Sequence, residues 1–426
     1  MLYKLSDVAA YISIKINTND IDLDEYISTE NMLPDKGGIV AAASLPSTPK
    51  TNSFVAGDVL FSNIRTYFRK VWFAKFDGGV SNDVLVFRTI SADMLYNKYL
   101  YYVLSNEAFI QHTVTTAKGT KMPRGDKGAI MNYEFKLPPP ETQQKIAHIL
   151  SALDDKIELN RKMNQTLEEM AQALFKSWFV DFDPVHAKMG CANDEELEAA
   201  ARELGISKEV LELFPSKFEE SELGMIPMGW EVKPLDEIAN YQNGLALQKF
   251  RPKNENEYLP VLKIAHLSKG CTDGEEKADV NIKPECIVDS GDIIFSWSGT
   301  LMVAIWCGGK AALNQHLFKV TSNNYPKWFY YCWTKQHLFN FQHIAASKAV
   351  TMGHIKKGHL SEALCVIPNK GLFDLADITI KPFIEKIILC RLENITLQKT
   401  RDTLLPKLLS GELDVSGLHI GTTDDK

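Results

Sequence analysis

The sequence predicts a mixed α/β protein in which two homologous globular domains are separated by two long α-helices that pair with each other. Three observations lead to this prediction. An internal repeat recurs with a period near 230 residues. A heptad pattern of apolar residues follows each copy of the repeat. The length of 426 residues is sufficient for two or three domains, since a domain has roughly 100–200 residues.

The repeat is carried by short motifs that recur in the same order. A Gly-Asp turn that opens an apolar strand is common, so one such match is weak evidence. A series of matches in one order indicates two copies of one domain. The matching pairs are Leu5–Ala9 with Leu235–Ala239, Val55–Ser62 with Val288–Ser296, Tyr101-Tyr102 with Tyr330-Tyr331, and Leu137-Pro138 with Ile367-Pro368.

A long helix is predicted after each copy. The first starts at Pro138–Glu141, where proline suits the first turn and the acid complements the helix dipole. Residues 141–179 would form about 58 Å of helix. The second helix repeats the heptad seam 230 residues later, and Pro406 followed by Gly411 should end or kink it. The alternative is that each helix packs only on its own domain. The candidate seam residues are Ile146, Leu150, Leu153, Ile157, Asn164, Leu167, Leu174, Phe383, Ile387, Asn394, Leu397 and Leu404.

These patterns divide the chain into six parts. The connector between the two domains holds 4 basic and 11 acidic residues, so it accounts for the whole net charge of −7. The globular parts are neutral to slightly basic and can therefore present a basic face to phosphate. The predicted parts are residues 1–137 (first domain), 138–182 (first helical spacer), 183–224 (acidic connector), 225–370 (second domain), 371–415 (second helical spacer) and 416–426 (tail).

Catalytic motifs are missing from the sequence. A phosphate-binding P-loop fails at Gly309-Lys310 because Ala304 and Ala311 occupy required positions. No GxGxxG follows a strand, and no GxSxG elbow occurs. The seven cysteines and ten histidines show no metal-ligand spacing. The sequence therefore predicts a binding protein without a metal or cofactor of its own. We expect it in the cytosol, because no apolar run of 18 residues and no secretory signal occur.

Loops carry the candidate binding residues. Residues 118–128 hold four basic residues among three glycines, which suits close approach to phosphates and base edges. The repeat places residues 347–358 at the equivalent position. Residues 63–70 interleave aromatic and basic side chains as a groove-facing strand would, whereas their counterpart Ser296–Thr300 has no cation. The alternatives are a solvated loop and an amphipathic strand with a solvated basic edge. The candidate DNA-binding residues are Arg65, Tyr67, Arg69, Lys70, Lys118, Lys121, Arg124 and Lys127 in the first copy and Trp297, Lys348, Thr351, His354, Lys356 and Lys357 in the second.

With these features in place, the chain closely resembles the specificity subunit of type I restriction–modification systems. Residues Leu137–Asn160, with the sequence LPPPETQQKIAHILSALDDKIELN, and Ala173–Val185 resemble the central conserved spacer of that family. Leu404–Leu413 resembles the C-terminal conserved spacer. Gly224–Glu231 resembles the usual start of a target-recognition domain. The resemblance covers nearly the whole chain.

The resemblance implies different functions for the globular domains, the long helices and the partner subunits. Each globular copy would be a target-recognition domain that reads one half of a bipartite, asymmetric DNA site. The helices would form an antiparallel coiled-coil-like spacer that sets the spacer length and docks two modification (methyltransferase) subunits. Those partners would bind S-adenosylmethionine and methylate adenine, and motor-nuclease subunits would join them for restriction. This chain would have no catalytic activity and no cofactor.

One departure from the family and two other hypotheses stay open at this point. The second spacer lacks the proline-rich, Glu-Gln start and contains Ile367–Asp374 instead, so its helix is expected to begin near Ala376. The chain could instead be a self-contained DNA methyltransferase or nuclease, although no cofactor loop is visible. It could also be a structural adaptor that does not bind DNA, although the basic loops argue against this.

Overall fold

The computed structural model describes residues 2–347 and 353–418. The chain divides into two compact units, one made of residues 1–157 and 396–426 and the other of residues 158–395. Each unit contains one globular domain together with parts of both long helices. The two units are described separately below as the first unit and the second unit.

The first part of the chain contains short strands and helices and ends in a long helix. Its elements are β1 Leu2–Lys4, α1 Leu5–Val8, β2 Ala9–Ile12, β3 Lys15–Asn17, β4 Tyr26–Ile27, β5 Lys50–Phe54, β6 Val59–Ser62, β7 Val71–Phe73, β8 Gly78–Val80, β9 Val84–Thr89, α2 Asn97–Ser105, α3 Glu107–Thr115, α4 Lys127–Met131, β10 Glu134–Lys136 and α5 Pro140–Phe179.

The remainder broadly repeats this order after a connector that contains three short helices, with an additional helix α10 and with one helix, α11, in place of α2 and α3. Its elements are α6 Asp183–Met189, α7 Asp194–Glu203, α8 Lys208–Glu212, β11 Phe218–Ser221, β12 Gly224–Pro227, β13 Glu231–Pro234, α9 Leu235–Ile238, β14 Asn240–Asn243, β15 Leu259–Leu262, α10 Ile264–Lys269, β16 Lys277–Ala278, β17 Ile287–Val288, β18 Ile293–Ser296, β19 Met302–Ile305, β20 Ala311–Leu313, β21 Leu317–Thr321, α11 Lys327–Ser347, α12 Gly358–Ser361, β22 Leu364–Ile367 and α13 Lys370–Ser410.

The two domains share most of their sheet topology. An antiparallel sheet has the order β2-β9-β6-β7 in the first domain and β14-β21-β18-β19 in the second. A second sheet shares three strands, β5-β8-β4 in the first domain and β17-β20-β15 in the second, and the last two of each set are parallel. Its fourth strand differs, because β3 pairs with β5 in the first domain whereas β16 pairs with β15 in the second. The first and last strands of each domain pair antiparallel, as β1-β10 and β13-β22. The predicted two-copy mixed α/β fold is confirmed.

The Gly-Asp strands lie at the centre of each domain because both of their faces are covered. Successive side chains of a strand point to opposite faces. In β6, Val59 and Phe61 pack with helix α2, whereas Leu60 packs towards the second sheet. In β18, Ile293 and Phe295 pack with helix α11, whereas Ile294 packs with β20. These strands therefore provide a fixed support for the loop that follows each of them.

The two long helices have 40 and 41 residues, or about 60 Å each at 1.5 Å per residue. Helix α13 begins at Lys370, so the expected start near Ala376 is wrong. The amide nitrogen of Leu372 donates to Asn369 Oδ1 at 3.0 Å, which caps the helix without the family's proline-rich start. The helix continues through Pro406 and ends before Gly411, whose φ of +76° is typical of a residue that terminates a helix.

The helices pair antiparallel within each unit. In the second unit, Asn160 Nδ2 donates to Asn394 Oδ1 at 2.9 Å, and the sulfur atoms of Met163 and Cys390 lie 3.8 Å apart. In the first unit, Arg401 Nη1 donates to Asp154 Oδ1 at 2.8 Å. The predicted seam residues are buried to different degrees. Ile146, Leu150, Ile157, Ile387 and Asn394 are buried, and Leu153, Asn164, Leu167, Leu174, Phe383, Leu397 and Leu404 are half-buried.

Candidate nucleic-acid interface

Two segments of the first domain that are far apart in sequence pair through their backbones. The amide of Arg65 donates to Pro123 O at 2.9 Å, and the amide of Gly125 donates to Asn63 O at 3.1 Å. Residues 63–65 directly follow strand β6, and residues 123–125 directly precede the cap of helix α4. We call residues 63–65 and 123–125 the first loop frame. It brings together the two basic segments that the sequence singled out separately.

The second domain contains the same backbone arrangement. The amide of Gly299 donates to Gly353 O at 3.0 Å, and the amide of Ile355 donates to Trp297 O at 3.1 Å. We call residues 297–299 and 353–355 the second loop frame. It follows β18 and precedes α12, as the first follows β6 and precedes α4. The structural repeat therefore extends to single hydrogen bonds in the candidate interface.

An ion pair occupies the side-chain positions beside the first loop frame. Arg124 Nη2 lies 2.9 Å from Asp83 Oδ1. The Asp83 carbonyl accepts the amide of Asn63 at 2.8 Å, which places it next to the frame. Gly125 is required for this close packing, since a Cβ there would lie 2.7 Å from Asn63 Oδ1. The first frame therefore presents charged groups on a tightly packed backbone, and the Asn63 side chain is buried.

Aromatic rings occupy the equivalent positions in the second frame. The Trp297 ring lies 6.0 Å from the His316 ring and 6.2 Å from the His354 ring, measured between centroids. Trp297 Nε1 donates to Asn243 Oδ1 at 3.3 Å. His316 accepts the amide of Trp297 through its backbone, as Asp83 accepts that of Asn63. One backbone arrangement thus carries an Asp–Arg pair in one copy and a Trp–His cluster in the other.

Several predicted cations of the first domain already have partners within it. Arg69 binds Asp35 at 3.3 Å and Glu107 at 2.9 Å, and its guanidinium lowers the pKa of Glu107. Lys118 pairs with Asp126, which lowers the pKa of that carboxyl group. Further partners are the Thr29 carbonyl for Lys70 at 2.6 Å, whose pKa is lowered by burial, and the Tyr11 hydroxyl for Lys127 at 3.2 Å.

Three other candidates of the first domain are available to a ligand. Within residues 2–347 and 353–418, the side chains of Arg65 and Lys121 make no ion pair or hydrogen bond. Lys121 is exposed near the tip of the loop between Lys118 and Arg124, and Arg65 is half-exposed on the frame. Tyr67 is 46% exposed, and its ring packs on Phe68 with centroids 4.8 Å apart.

The interpretation of residues 63–70 as a strand is wrong. Thr66–Phe68 form a short 3-10 helix flanked by Arg65 and Arg69, both of which have left-handed backbone conformations. The alternation of aromatic and basic residues matches the two-residue period of a strand, but the segment folds as a turn, so these side chains do not line the two faces of a strand. The frame itself depends on backbone pairing with residues about 60 positions away, which local periodicity does not encode.

The candidates of the second domain are only partly described. His354, Lys356 and Lys357 are exposed, and Trp297 is half-buried. Lys348 and Thr351 lie outside the described residues. Sequence reasoning missed Asn243 and His316, which lie at the ends of strands β14 and β21 beside Trp297. Both residues lie at one edge of the sheet, next to the end of the Gly-Asp strand β18, and this position is the feature by which they could have been identified.

Apart from the loop frames, the described residues form no candidate site that is equally well defined. Among them, no group of three or more His, Cys, Asp or Glu side chains is placed to hold a metal ion. No helix in residues 2–347 and 353–418 is both long and apolar enough to cross a membrane. The loop frames are therefore the best-defined candidate sites.

Comparison with known protein families identifies the kind of domain that contains these frames. The family described as the type I restriction modification DNA specificity domain matches residues 3–169 and 227–371. These two stretches cover more than half of the chain and contain both frames. The chain belongs to the family of type I restriction–modification specificity subunits. As a specificity subunit, the protein recognises DNA sequence for a restriction–modification complex.

The specificity subunit is similar to relatives along most of its length. It is 27% identical over 457 aligned residues to the HindI specificity subunit of Haemophilus influenzae, covering 96% of this chain and 99% of the relative. It is 29% identical over 348 residues to the MjaIX specificity subunit of Methanocaldococcus jannaschii, covering 77% and 72%. The fold is similar to the crystal structure of the type I S subunit from M. genitalium, with a TM-score of 0.52, 14% identity and 96% coverage of each chain.

Proposed function

We propose that each globular domain of this specificity subunit reads one half of a bipartite, asymmetric DNA site through its loop frame. Helices α5 and α13 set the distance between the two halves and dock two modification subunits, which methylate adenine with S-adenosylmethionine. Motor-nuclease subunits join the complex for restriction, and this chain catalyses no step. The observation that carries the proposal is the common backbone frame with unlike side chains in the two copies.

The frames suit direct reading of bases because they are rigid. Base contacts specify a sequence only when the side chains that make them are held in place, whereas phosphate contacts mainly position the protein. Two backbone hydrogen bonds join the segments of each frame, and a fully buried strand precedes it. Lys121, which lies exposed near a loop tip, is instead suited to a phosphate.

The two half-sites should differ because the side chains differ in chemistry. Charged and amide groups read base edges through hydrogen bonds, as Arg does with guanine and Asn with adenine. The first frame offers Arg65 and Arg124, whereas the second offers Trp297 and His354. Apolar and aromatic surface favours contacts such as that with the thymine methyl group. An asymmetric two-part site follows.

The helices suit a ruler because their mutual register is fixed by polar contacts. Asn160 and Asn394 are buried and bonded to each other in the second unit. A buried polar pair in an apolar seam costs stability and disfavours a shifted register. Arg401 and Asp154 form the corresponding polar contact in the first unit.

The proposal is tested by mapping methylated adenines. The chain is co-expressed with its modification subunit, and host DNA is sequenced at the single-molecule level. A gapped two-part motif that disappears when this chain is omitted supports the proposal. Methylation by this chain alone would support the self-contained methyltransferase instead. A chain that binds neither modification subunits nor random duplex at low salt would be an adaptor of another kind.

The ruler is tested separately by lengthening both helices. Seven residues are inserted after Lys162 in α5 and seven after Leu392 in α13, so that one heptad is added on each side of the pair. Seven residues add about 10.5 Å of helix, which corresponds to about three base pairs at 3.4 Å each. We expect a spacer longer by about this amount and unchanged half-sites. Altered half-sites, or an unchanged spacer, would contradict the ruler.

A further inference from the structure

We propose that Arg65 is a base-reading residue of the first domain and that it recognises a guanine. This inference rests on the proposed function, since it names the chemistry by which one frame reads its half-site. Four properties of this residue support it: its backbone conformation, its unpaired side chain, its fixed position, and the residue that replaces it in the other copy.

The backbone at Arg65 adopts a conformation that favours glycine. Its φ is +49° and its ψ is 57°, in the left-handed region. There the Cβ of an L-residue crowds the following carbonyl oxygen, whereas glycine avoids the penalty. The equivalent position of the second frame is Gly299, with a φ of +68°. The frame thus needs this conformation in both copies, and arginine occupies it in the first at a cost in stability.

Among the described residues, the Arg65 side chain has no polar partner that would compensate for this cost. Arg69 is also left-handed, with a φ of +52°, but it binds Asp35 and Glu107. Arg124 binds Asp83. Within residues 2–347 and 353–418, Arg65 has no ion pair and no side-chain hydrogen bond. A strained residue without a structural partner points to a function outside the folded chain.

The position of Arg65 is fixed by backbone bonds on both sides. Its amide donates to Pro123 O at 2.9 Å, and its carbonyl accepts the amide of Phe68 at 2.9 Å. Ile64 pairs with Arg124 in an isolated antiparallel bridge. A planar guanidinium projecting from a fixed backbone reads the O6 and N7 atoms of guanine in a bidentate manner. Lys121 lacks such a fixed position and such a planar group.

The second domain has no equivalent side chain at all, because Gly299 occupies the position. The structure therefore predicts that the loss of Arg65 affects one base pair in one half-site only. A phosphate contact would behave differently, because its loss weakens binding to all sequences alike.

The test compares Arg65→Gly, Arg65→Lys and the control Asp35→Gly, at another left-handed residue with a φ of +53°, in the complex with modification subunits. Each variant is examined by its melting temperature and by its map of methylated adenines. For Arg65→Gly we expect an equal or higher melting temperature, because the strain is relieved. One G·C position of one half-site should become degenerate, with selectivity reduced about 5- to 150-fold. Arg65→Lys should retain the charge but not the full selectivity, and Asp35→Gly should leave the motif unchanged.

The outcomes separate this inference from the proposed function. A wild-type complex without a two-part motif would overturn both. A two-part motif that Arg65→Gly leaves unchanged would overturn the role of Arg65 alone. A uniform loss of methylation over all positions would identify a phosphate contact, and a lowered melting temperature with an intact motif would identify a structural residue. Either of these results also overturns the inference.

Discussion

Asp154→Ala should destabilise the first unit, because Asp154 joins three elements of that unit. Its carboxylate accepts the Tyr102 hydroxyl of helix α2 at 2.8 Å and Arg401 Nη1 of helix α13 at 2.8 Å. The Arg401 side chain is only 6% exposed. Burial lowers the pKa of Arg401, but Asp154 and Asp402 more than offset this, so the guanidinium remains charged.

The expected loss follows from what the substitution leaves behind. Breaking a buried ion pair by removing one partner costs about 3–5 kcal/mol. Two features reduce this figure here: Asp402 still binds Arg401 Nε at 3.0 Å, and the Asp154 side chain is 22% exposed. We therefore expect a loss of about 2–3 kcal/mol. For a unit of 150–250 residues each kcal/mol lowers the melting temperature by about 2–4 °C, so the shift should be about 4–12 °C.

The adjacent residue provides a matched control. Asp155 is 63% exposed, and its only ion pair within residues 2–347 and 353–418 is with Lys98 at 4.0 Å. Asp155→Ala should cost less than about 1 kcal/mol. Calorimetry of the full chain measures the melting temperatures of both variants. The melting temperature of Asp154→Asn should fall between them, because the amide oxygen can still accept a hydrogen bond from the Tyr102 hydroxyl. Equal melting temperatures for Asp154→Ala and Asp155→Ala would refute the reasoning.

Three further predictions concern the interface and the helix pair. Lys121→Ala should weaken binding of the complex to all duplexes and reduce the slope of log affinity against log salt by about one, while a slope equal to wild type would place Lys121 away from phosphate. Burial alone would raise the pKa of Glu168, but Lys335 and its other partners hold it below its usual value. The stability that Glu168 contributes is thus present above pH about 4.3 and is lost as the pH falls through the lowered pKa of the folded state. Glu168→Gln should cost about 1–3 kcal/mol at pH 7 and progressively less below pH 4 in urea titrations, and a cost independent of pH would contradict this. Replacing both Asn160 and Asn394 by Leu should raise the free energy of unfolding by about 1 kcal/mol, since Asn160 Oδ1 is buried without a partner among the described residues. The methylated motifs of this variant should show mixed spacer lengths, because the buried polar pair no longer disfavours a shifted register. A single fixed spacer length would contradict the role of the two asparagines in register.

The repeat and the two long helices could be predicted because their signals are periodic and extend over many residues. A heptad seam over 141–179 involves many positions, so no single exception changes the interpretation. The predicted start of α13 was wrong because a single local hydrogen bond determines where this helix begins. Because the segment lacks the proline-rich start of the family, the helix was expected to begin later, but the Asn369 side chain alone caps it.

The loop frames could be located but not assembled from the sequence. Residues 63–70 and 118–128 were found by composition, but their pairing depends on hydrogen bonds between residues about 60 positions apart. Sequence composition also did not distinguish Arg65 from Arg69, since only the folded chain shows that Arg69 binds Asp35 and Glu107. The availability of a cation is therefore a property of tertiary structure.

The central claim is that the two domains read different half-sites through a common frame, and a domain transplant tests it most directly. Residues 1–137 are replaced by a second copy of residues 225–370, and methylated adenines are mapped in the complex with modification subunits. We predict an active complex whose motif contains the half-site of the second domain twice and the half-site of the first domain not at all. A motif that still contains the original first half-site would contradict the account, because sequence recognition would then lie outside the domain that was removed.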